Sequence, residues 1–257
     1  MFRTTFMMSA LAAALMLPAT AAAQAPAPAA LPPVAAAKDT PPPFREGAVD
    51  FSFIATTGNT DSQTLGLSGD IIFRPDSWEI RNRAGFIRAE TDNVLTAEAL
   101  FYNFRAARKL AARLSAYGQY DYLHDAFAGV DHRNVVTGGL DYLLLDAAPN
   151  RLSVFGGLGY LNEQRVTGED LSTAVFDAGW AYRLKFSESA EFTDDFRYDQ
   201  SLSDGGDWRI GHTAAVTAKL TGLLSLKVSH NIRFANQPPP GFENTDTVMA
   251  VALVAKF

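Results

Sequence analysis

The chain has 257 residues, 47% of them hydrophobic and 19% charged, with a formal net charge of -6 at pH 7, which is enough apolar material for one sizeable core and unlike a disordered segment. The acidic balance excludes nucleic acid as the expected partner, which needs a basic face. The absence of cysteine removes disulfides, thiolate metal sites and acylation at a processed N-terminal cysteine.

The first element is a processing segment. Arg3 supplies a positive start, Thr4 to Leu17 an apolar stretch, and Ala21, Ala22 and Ala23 a small-residue cleavage site, so residues 1–23 are expected to be a signal peptide removed before Gln24. That stretch, roughly 14 residues, is shorter than the about 20 a spanning helix needs. No comparable run follows, so a helical membrane protein is excluded. Residues 24–46 carry seven prolines among alanines between Gln24 and Pro43. Proline disrupts both helix and sheet hydrogen bonding, and the segment reads as an extended periplasmic linker.

From Gly47 the sequence breaks into about twelve segments of 10 to 15 residues, each bounded by turn signals, as in a barrel meander. They fall at roughly 47–57, 62–73, 77–90, 94–108, 112–125, 132–145, 151–165, 172–186, 189–201, 207–220, 223–235 and 244–257. The third and fourth alternate poorly, and the fourth carries a competing helical reading over Ala97 to Arg113. They are kept as strands because an interrupted ring leaves an unpaired edge. The eighth sets Phe176, Trp180, Tyr182, Leu184 and Phe186 against Asp177, Arg183 and Lys185, and the ninth sets Phe192, Phe196 and Tyr198 against Glu191, Asp195, Arg197 and Asp199. Helical spacing mixes these charged and aromatic residues, whereas a period of two separates them. In the tenth and eleventh, a loop at Thr221–Gly222–Leu223 pairs Leu220 with Leu224, Ala218 with Leu226 and Val216 with Val228, putting both apolar faces on one side.

The last segment runs without a turn residue from Asp246 to a terminal aromatic, Phe257. Such an ending is how bacterial outer-membrane barrels usually finish, and Phe257 is read as the assembly signal. The fold class is therefore an all-β, transmembrane, antiparallel up-and-down barrel spanning 47–257, with lipid seen by alternate residues only. That alternation explains why overall hydropathy is neutral. Connections placed on the periplasmic side, at 74–77, 110–112, 146–150, 187–189 and 221–223, are short; most of the others are longer, as expected outside the cell.

Several stretches together resemble the salt-induced outer membrane protein family, also catalogued as domain of unknown function 481, with YdiY-like members. They are Thr57–Gly58–Asn59–Thr60, the hairpin Tyr120 to Arg133, the pair Gly138–Gly139–Leu140–Asp141–Tyr142 and Gly156–Gly157–Leu158–Gly159–Tyr160, and Asn236 to Gly241 before the final strand. The resemblance covers nearly everything after the linker and implies location and fold. It implies no reaction, since the family's name reflects a stress response.

Glu191, Asp195, Asp199, Arg209, Lys219, Lys227 and Arg233 share lumen-facing parity on three successive segments, placing acids beside bases inside the barrel. Such charges either ring an ion-selective constriction or form a salt-bridged plug in a narrow lumen; the modest cross-section of about twelve strands favours the plug. The histidines, His124, His132, His212 and His230, fall toward the extracellular half. Although His212 and His230 are diagonal neighbours and imidazoles bind metal, their outward parity makes contact with the lipid headgroup region the ordinary reading. Ser229, His230 and Asn231 are split by parity, as are Asp194 and Asp195, so no catalytic residue is assigned. No cofactor or metal site is expected. The expected partners are outer-membrane lipid, the barrel assembly machinery and periplasmic chaperones. The expected function is a structural barrel or narrow pore of the envelope linked to osmotic stress; the alternatives are a barrel-embedded hydrolase and a soluble periplasmic barrel that binds a small apolar ligand.

Overall fold

The computed structural model describes residues 43–56, 62–147 and 149–257; the expected signal peptide, all but the end of the expected linker, and the stretch 57–61 lie outside them. Twelve strands follow one another: β1 (Arg45–Thr56), β2 (Ser62–Phe73), β3 (Trp78–Thr91), β4 (Val94–Lys109), β5 (Leu114–Asp125), β6 (Val130–Ala147), β7 (Asn150–Arg165), β8 (Leu171–Lys185), β9 (Ala190–Ser201), β10 (Trp208–Lys219), β11 (Leu224–Ala235) and β12 (Thr245–Lys256). Each pairs antiparallel with the next, and β12 pairs with β1 to close the ring. Closure matters because it leaves backbone donors and acceptors satisfied without water.

Polarity is inverted relative to a soluble protein. Outward residues include Phe51 and Phe53 on β1, Leu65 and Leu67 on β2, Leu140 and Leu144 on β6, Leu226 and Val228 on β11. Met249, Val251 and Leu253 on β12 continue the belt, Met249 being 70% exposed. The inward set of the same sheet carries buried Asp121, Asp141, Glu163, Asp177 and Arg209. An apolar outer belt around a polar interior is the pattern of a barrel bathed in hydrocarbon, and this chain is such a transmembrane barrel.

The expected pairing of β10 with β11 is present, with Val216 opposite Val228 and Ala218 opposite Leu226. Segment four is a strand throughout, and the helical alternative is absent from it. Its poor alternation has a physical origin. The inward residues Ala97, Ala99, Phe101, Asn103 and Arg105 are all buried but run from methyl to guanidinium, so hydropathy fails to separate the faces where solvent access does. The first strand begins at Arg45, two residues inside the stretch assigned to the linker.

Strand β1 pairs with β2 over its whole length but with β12 only from Ala48 opposite Lys256 to Phe51 opposite Leu253. Phe257 extends this short seam: its amide donates to the Gly47 carbonyl at 2.9 Å, and the Gly47 amide to the Phe257 carbonyl at 2.8 Å. The phenyl ring lies over Gly47, where a Cβ would meet ring carbons at 2.5 and 2.7 Å.

Two outcomes are expected from this arrangement. Deleting Phe257 removes both hydrogen bonds and the ring from the seam, and the truncated chain will show less heat-modifiable, folded barrel in membrane fractions than wild type. Val228→Arg puts a charge on the outer belt and will lower stability in bilayers by about 2–4 kcal/mol, read by denaturant titration of the reconstituted protein.

Candidate functional site

Charged side chains project into the lumen, and alternation dictates which. Every inward position of β4 to β11 that bears a charge must find a partner or bear a desolvation penalty of several kcal/mol. At mid-barrel, Arg105 of β4 donates to Gln119 at 3.0 Å and to Asp141, and its guanidinium carbon sits 3.8 Å from the centre of the Tyr117 ring. The Tyr117 hydroxyl donates to Asp177 of β8 at 2.9 Å. Arg197 of β9 donates to Asp121 of β5 and Asp199, each at 2.9 Å, and lies 4.0 Å from Asp177. Asp121 also accepts from Asn103 at 2.6 Å and Gln119 at 2.7 Å. These contacts tie β4, β5, β6, β8 and β9 together through the interior.

Nearer the end that carries the longer loops is a second layer. Glu163 of β7, fully buried, accepts from Arg133 at 2.6 Å and Arg165 at 2.7 Å, with Arg209 of β10 at 3.8 Å. Arg233 of β11 donates to Asp125 of β5 at 2.6 Å and to Asp246 of β12 at 3.3 Å. Strands β5 and β11 stand opposite each other in the ring, so this bond crosses the whole lumen. Asp125 uses its other oxygen to accept from the Ala128 amide at 3.0 Å, capping a 3₁₀ turn at Ala126–Ala128.

The mouth above is covered by the Pro238–Pro239–Pro240 loop. Phe242 and Pro239 pack against Gly129, and the Thr167 hydroxyl donates to the Pro240 carbonyl at 2.7 Å. Gly129 has φ +79°, a conformation that strains any residue with a Cβ. The loop thereby reaches across to the β5–β6 and β7–β8 connections. Beneath it lies a cavity of about 100 Å³ walled by Leu123, Val135 and Leu161 with Arg209 and Arg233. On the other side of the plug are a cavity of about 180 Å³, lined by Asp50, Arg81, Arg83 and Asp195, and a vestibule of about 700 Å³ at the short-turn end.

The paired glycines of the resemblance serve this packing. A Cβ at Gly157 would meet the Tyr117 hydroxyl and the Asp177 carboxylate, each at 2.7 Å, so its missing side chain is the space that bond occupies.

Residues 49–257 match the family model described as "Protein of unknown function, DUF481". The chain belongs to the DUF481 family. No curated protein matches it. Among solved structures, the NanC porin aligns with a TM-score of 0.49 at 10% identity, covering 82% of this chain and 98% of that one. An outer membrane channel from Pseudomonas putida F1 aligns with a TM-score of 0.48 at 12% identity, covering 88% and 100%. The translocator domain of the autotransporter NalP from Neisseria meningitidis aligns with a TM-score of 0.42 at 12% identity, covering 86% and 90%.

Within this DUF481 barrel the seven expected lumen charges face the interior or its rim. Arg209 stands directly across from Asp199 on the neighbouring strand, but the shortest contacts are mostly with residues outside the expected set. Lys227 reaches Asp50 of β1 at 2.6 Å, Glu191 meets Lys256 at 3.3 Å, and Asp199 meets Arg197. Asp195 shares its cavity with Arg81 and Arg83, while Lys219 lines the vestibule. Sequence reasoning missed Arg105, Tyr117, Asp121, Asp125 and Glu163, and it set Asp177 and Arg197 on the inner face without counting them in the network. The parity rule that found the β9–β11 charges would have found the missed ones on β4, β5 and β7.

Serine, histidine and aspartate placement follows parity. Ser229 is buried in the lumen wall while His230 faces out. Asp194 faces out and accepts from Trp180 at 2.8 Å, with His212 at 2.7 Å, whereas Asp195 faces in.

Gly157→Ala is expected to lower stability by about 1–3 kcal/mol through overpacking, while Gly118→Ala, where a Cβ would meet nothing within 4 Å, stays within about 0.5 kcal/mol of wild type. Denaturant unfolding of the two variants in the same detergent checks the difference.

Proposed function

We propose that this DUF481 barrel resides in the outer membrane as a structural envelope protein whose lumen is closed by its own salt-bridged plug. The observation that carries the reading is the Arg233–Asp125 bond between opposite strands at 2.6 Å, with the Arg197–Asp121 bond at 2.9 Å below it. Two cross-lumen bridges at different depths leave no straight aqueous path. The outer-membrane address is supported by the apolar belt around a closed sheet, a surface unsuited to a soluble periplasmic barrel. It is supported also by the N-terminal segment read as a signal peptide and by Phe257 at the seam. Export through the periplasm with chaperones and insertion by the barrel assembly machinery belong to the same proposal. A sealed barrel adds protein to the membrane without adding permeability, which fits the link to salt and osmotic stress that the family resemblance implies.

A narrow pore is the second reading. Its support is the line of cavities, about 700 and 180 Å³, that leads from the short-turn end to the plug, so that displacing two arginines would connect them to the far side. The hydrolase reading loses its one candidate run, because Ser229 faces the lumen while His230 faces out.

Planar-bilayer recording separates the two main readings. Wild-type protein is expected to insert without conductance steps, and Arg197→Gln/Arg233→Gln, which removes both bridging charges while keeping much side-chain volume, is expected to produce them. Steady steps from wild type at neutral pH would overturn the closed reading; a silent double variant would assign closure to packing instead of charge.

A further inference from the structure

On the outer side of the barrel, at the rim with the longer loops, the pairing of β5 with β6 is irregular. Leu123 pairs with Arg133 and Asp125 with Val130, so one residue of β5, His124, stands opposite two of β6, Asp131 and His132. This is a β-bulge, which bends a strand and re-aims side chains. Its effect here is chemical. Consecutive strand residues normally face opposite sides, but Val130 and Arg133 both face the lumen, so Asp131 and His132 both fall on the outer side with His124.

The three side chains converge. One ligand atom from each of His124, Asp131 and His132 lies within 4.8 Å of the others. The carboxylate is 3.6 Å from His124 Nδ1 and 3.7 Å from His132 Nε2; His124 Nδ1 is hydrogen-bonded to the Asp131 carbonyl oxygen at 2.5 Å, which leaves Nε2 of that ring for an ion. The rings are 5.5 Å apart, centre to centre. A tetrahedral zinc ion with ligands at about 2.0–2.2 Å holds them roughly 3.3–3.6 Å from one another, so modest side-chain rotation completes the set. The Tyr122 hydroxyl is 2.9 Å from His132 Nδ1, the outer contact that fixes an imidazole so its other nitrogen faces a metal. All three side chains are partly exposed, leaving room for water as a fourth ligand.

We propose that His124, Asp131 and His132 form a surface site for a divalent transition metal of the zinc, copper or nickel class. Two imidazoles and one carboxylate suit those ions and are poor for calcium or magnesium, which take oxygen ligands. The site flanks Asp125, whose carboxylate caps the turn and crosses the lumen to Arg233. A bound ion therefore staples the two strands on either side of the plug's anchor.

Tag-free barrel refolded in detergent is titrated calorimetrically with Zn²⁺ and, for its visible spectrum, with Co²⁺, heat-modifiable mobility reporting folding in the same samples. One equivalent is expected to bind, with a tetrahedral Co²⁺ spectrum and a higher temperature of mobility conversion. His124→Gln and His132→Gln each lose that binding, Tyr122→Phe weakens it by on the order of 10- to 100-fold, and His212→Gln/His230→Gln leaves it unchanged. Unchanged titration of a folded His124→Gln/His132→Gln double variant would overturn the proposal, as would wild type lacking saturable binding below millimolar metal. If either ligand variant fails to fold, Asp131→Asn and Tyr122→Phe decide by the same criteria.

Discussion

Everything else in this barrel follows from where its charges can go. A closed sheet in hydrocarbon has one wet face at most, and the apolar belt of Phe51, Leu67, Val228 and Leu253 takes the other. Charged side chains are thereby directed into a lumen that twelve strands make narrow, where each must be compensated. Glu163 shows the result: a carboxylate with no exposed surface is tolerable because Arg133 and Arg165 are hydrogen-bonded to it and Arg209 stands close by. Remove the carboxylate and Arg133 and Arg165 lose the partner they share; a buried charge left unpaired costs about 3–5 kcal/mol. The plug is thus self-enforcing, since each of its members is held in place by what its loss would expose.

The plug also has a built-in division of labour between charge and space. The β9–β11 wall supplies Arg197, Arg209 and Arg233, while β5, β7 and β8 supply Tyr117, Asp121, Asp125, Glu163 and Asp177. Phe101, Leu123 and Val130 pack together inside, as do Val135, Leu161 and Val175. This apolar packing excludes water from the neighbourhood of the ion pairs, and lower local dielectric strengthens them. Glycines make the arrangement fit: at Gly157 the absent side chain is where the Tyr117–Asp177 bond lies.

Strand number, order and most faces were legible in the sequence because a period of two is strong wherever one face meets lipid and the other meets charge, as on β8 to β11. Legibility weakened on β3 and β4; the inward face of β4 mixes Ala97, Phe101 and Arg105 and so carries no hydropathy contrast. The β9–β11 lumen charges were readable from parity within neighbouring segments. Their partners were not, because Arg233 meets Asp125 across the barrel, more than a hundred residues earlier, and no local pattern encodes the curvature that brings opposite walls together. The bulge at Asp131 is a different kind of gap. Parity forbids adjacent residues from sharing a face, and a single inserted residue suspends the rule at one place without leaving a hydropathy signature.

The seam between β1 and β12 shows why the terminal residue carries weight out of proportion to its size. Every other strand pair extends over most of its length, whereas here the ladder ends at Phe51 opposite Leu253. The hydrogen bonds between Gly47 and Phe257 are the last rungs at the short-turn end. The phenyl ring covers a glycine that offers no side chain of its own, restoring apolar surface where the sheet would otherwise show bare backbone to lipid. On the lumen side of the seam, Lys227 of β11 reaches past the small residues of β12 to Asp50 of β1 at 2.6 Å, and it can do so because β12 presents Ala250 and Ala252 there. A small, dry inner face on the last strand is therefore part of closure: it lets an ion pair bridge the seam from inside while the aromatic ring covers it from outside.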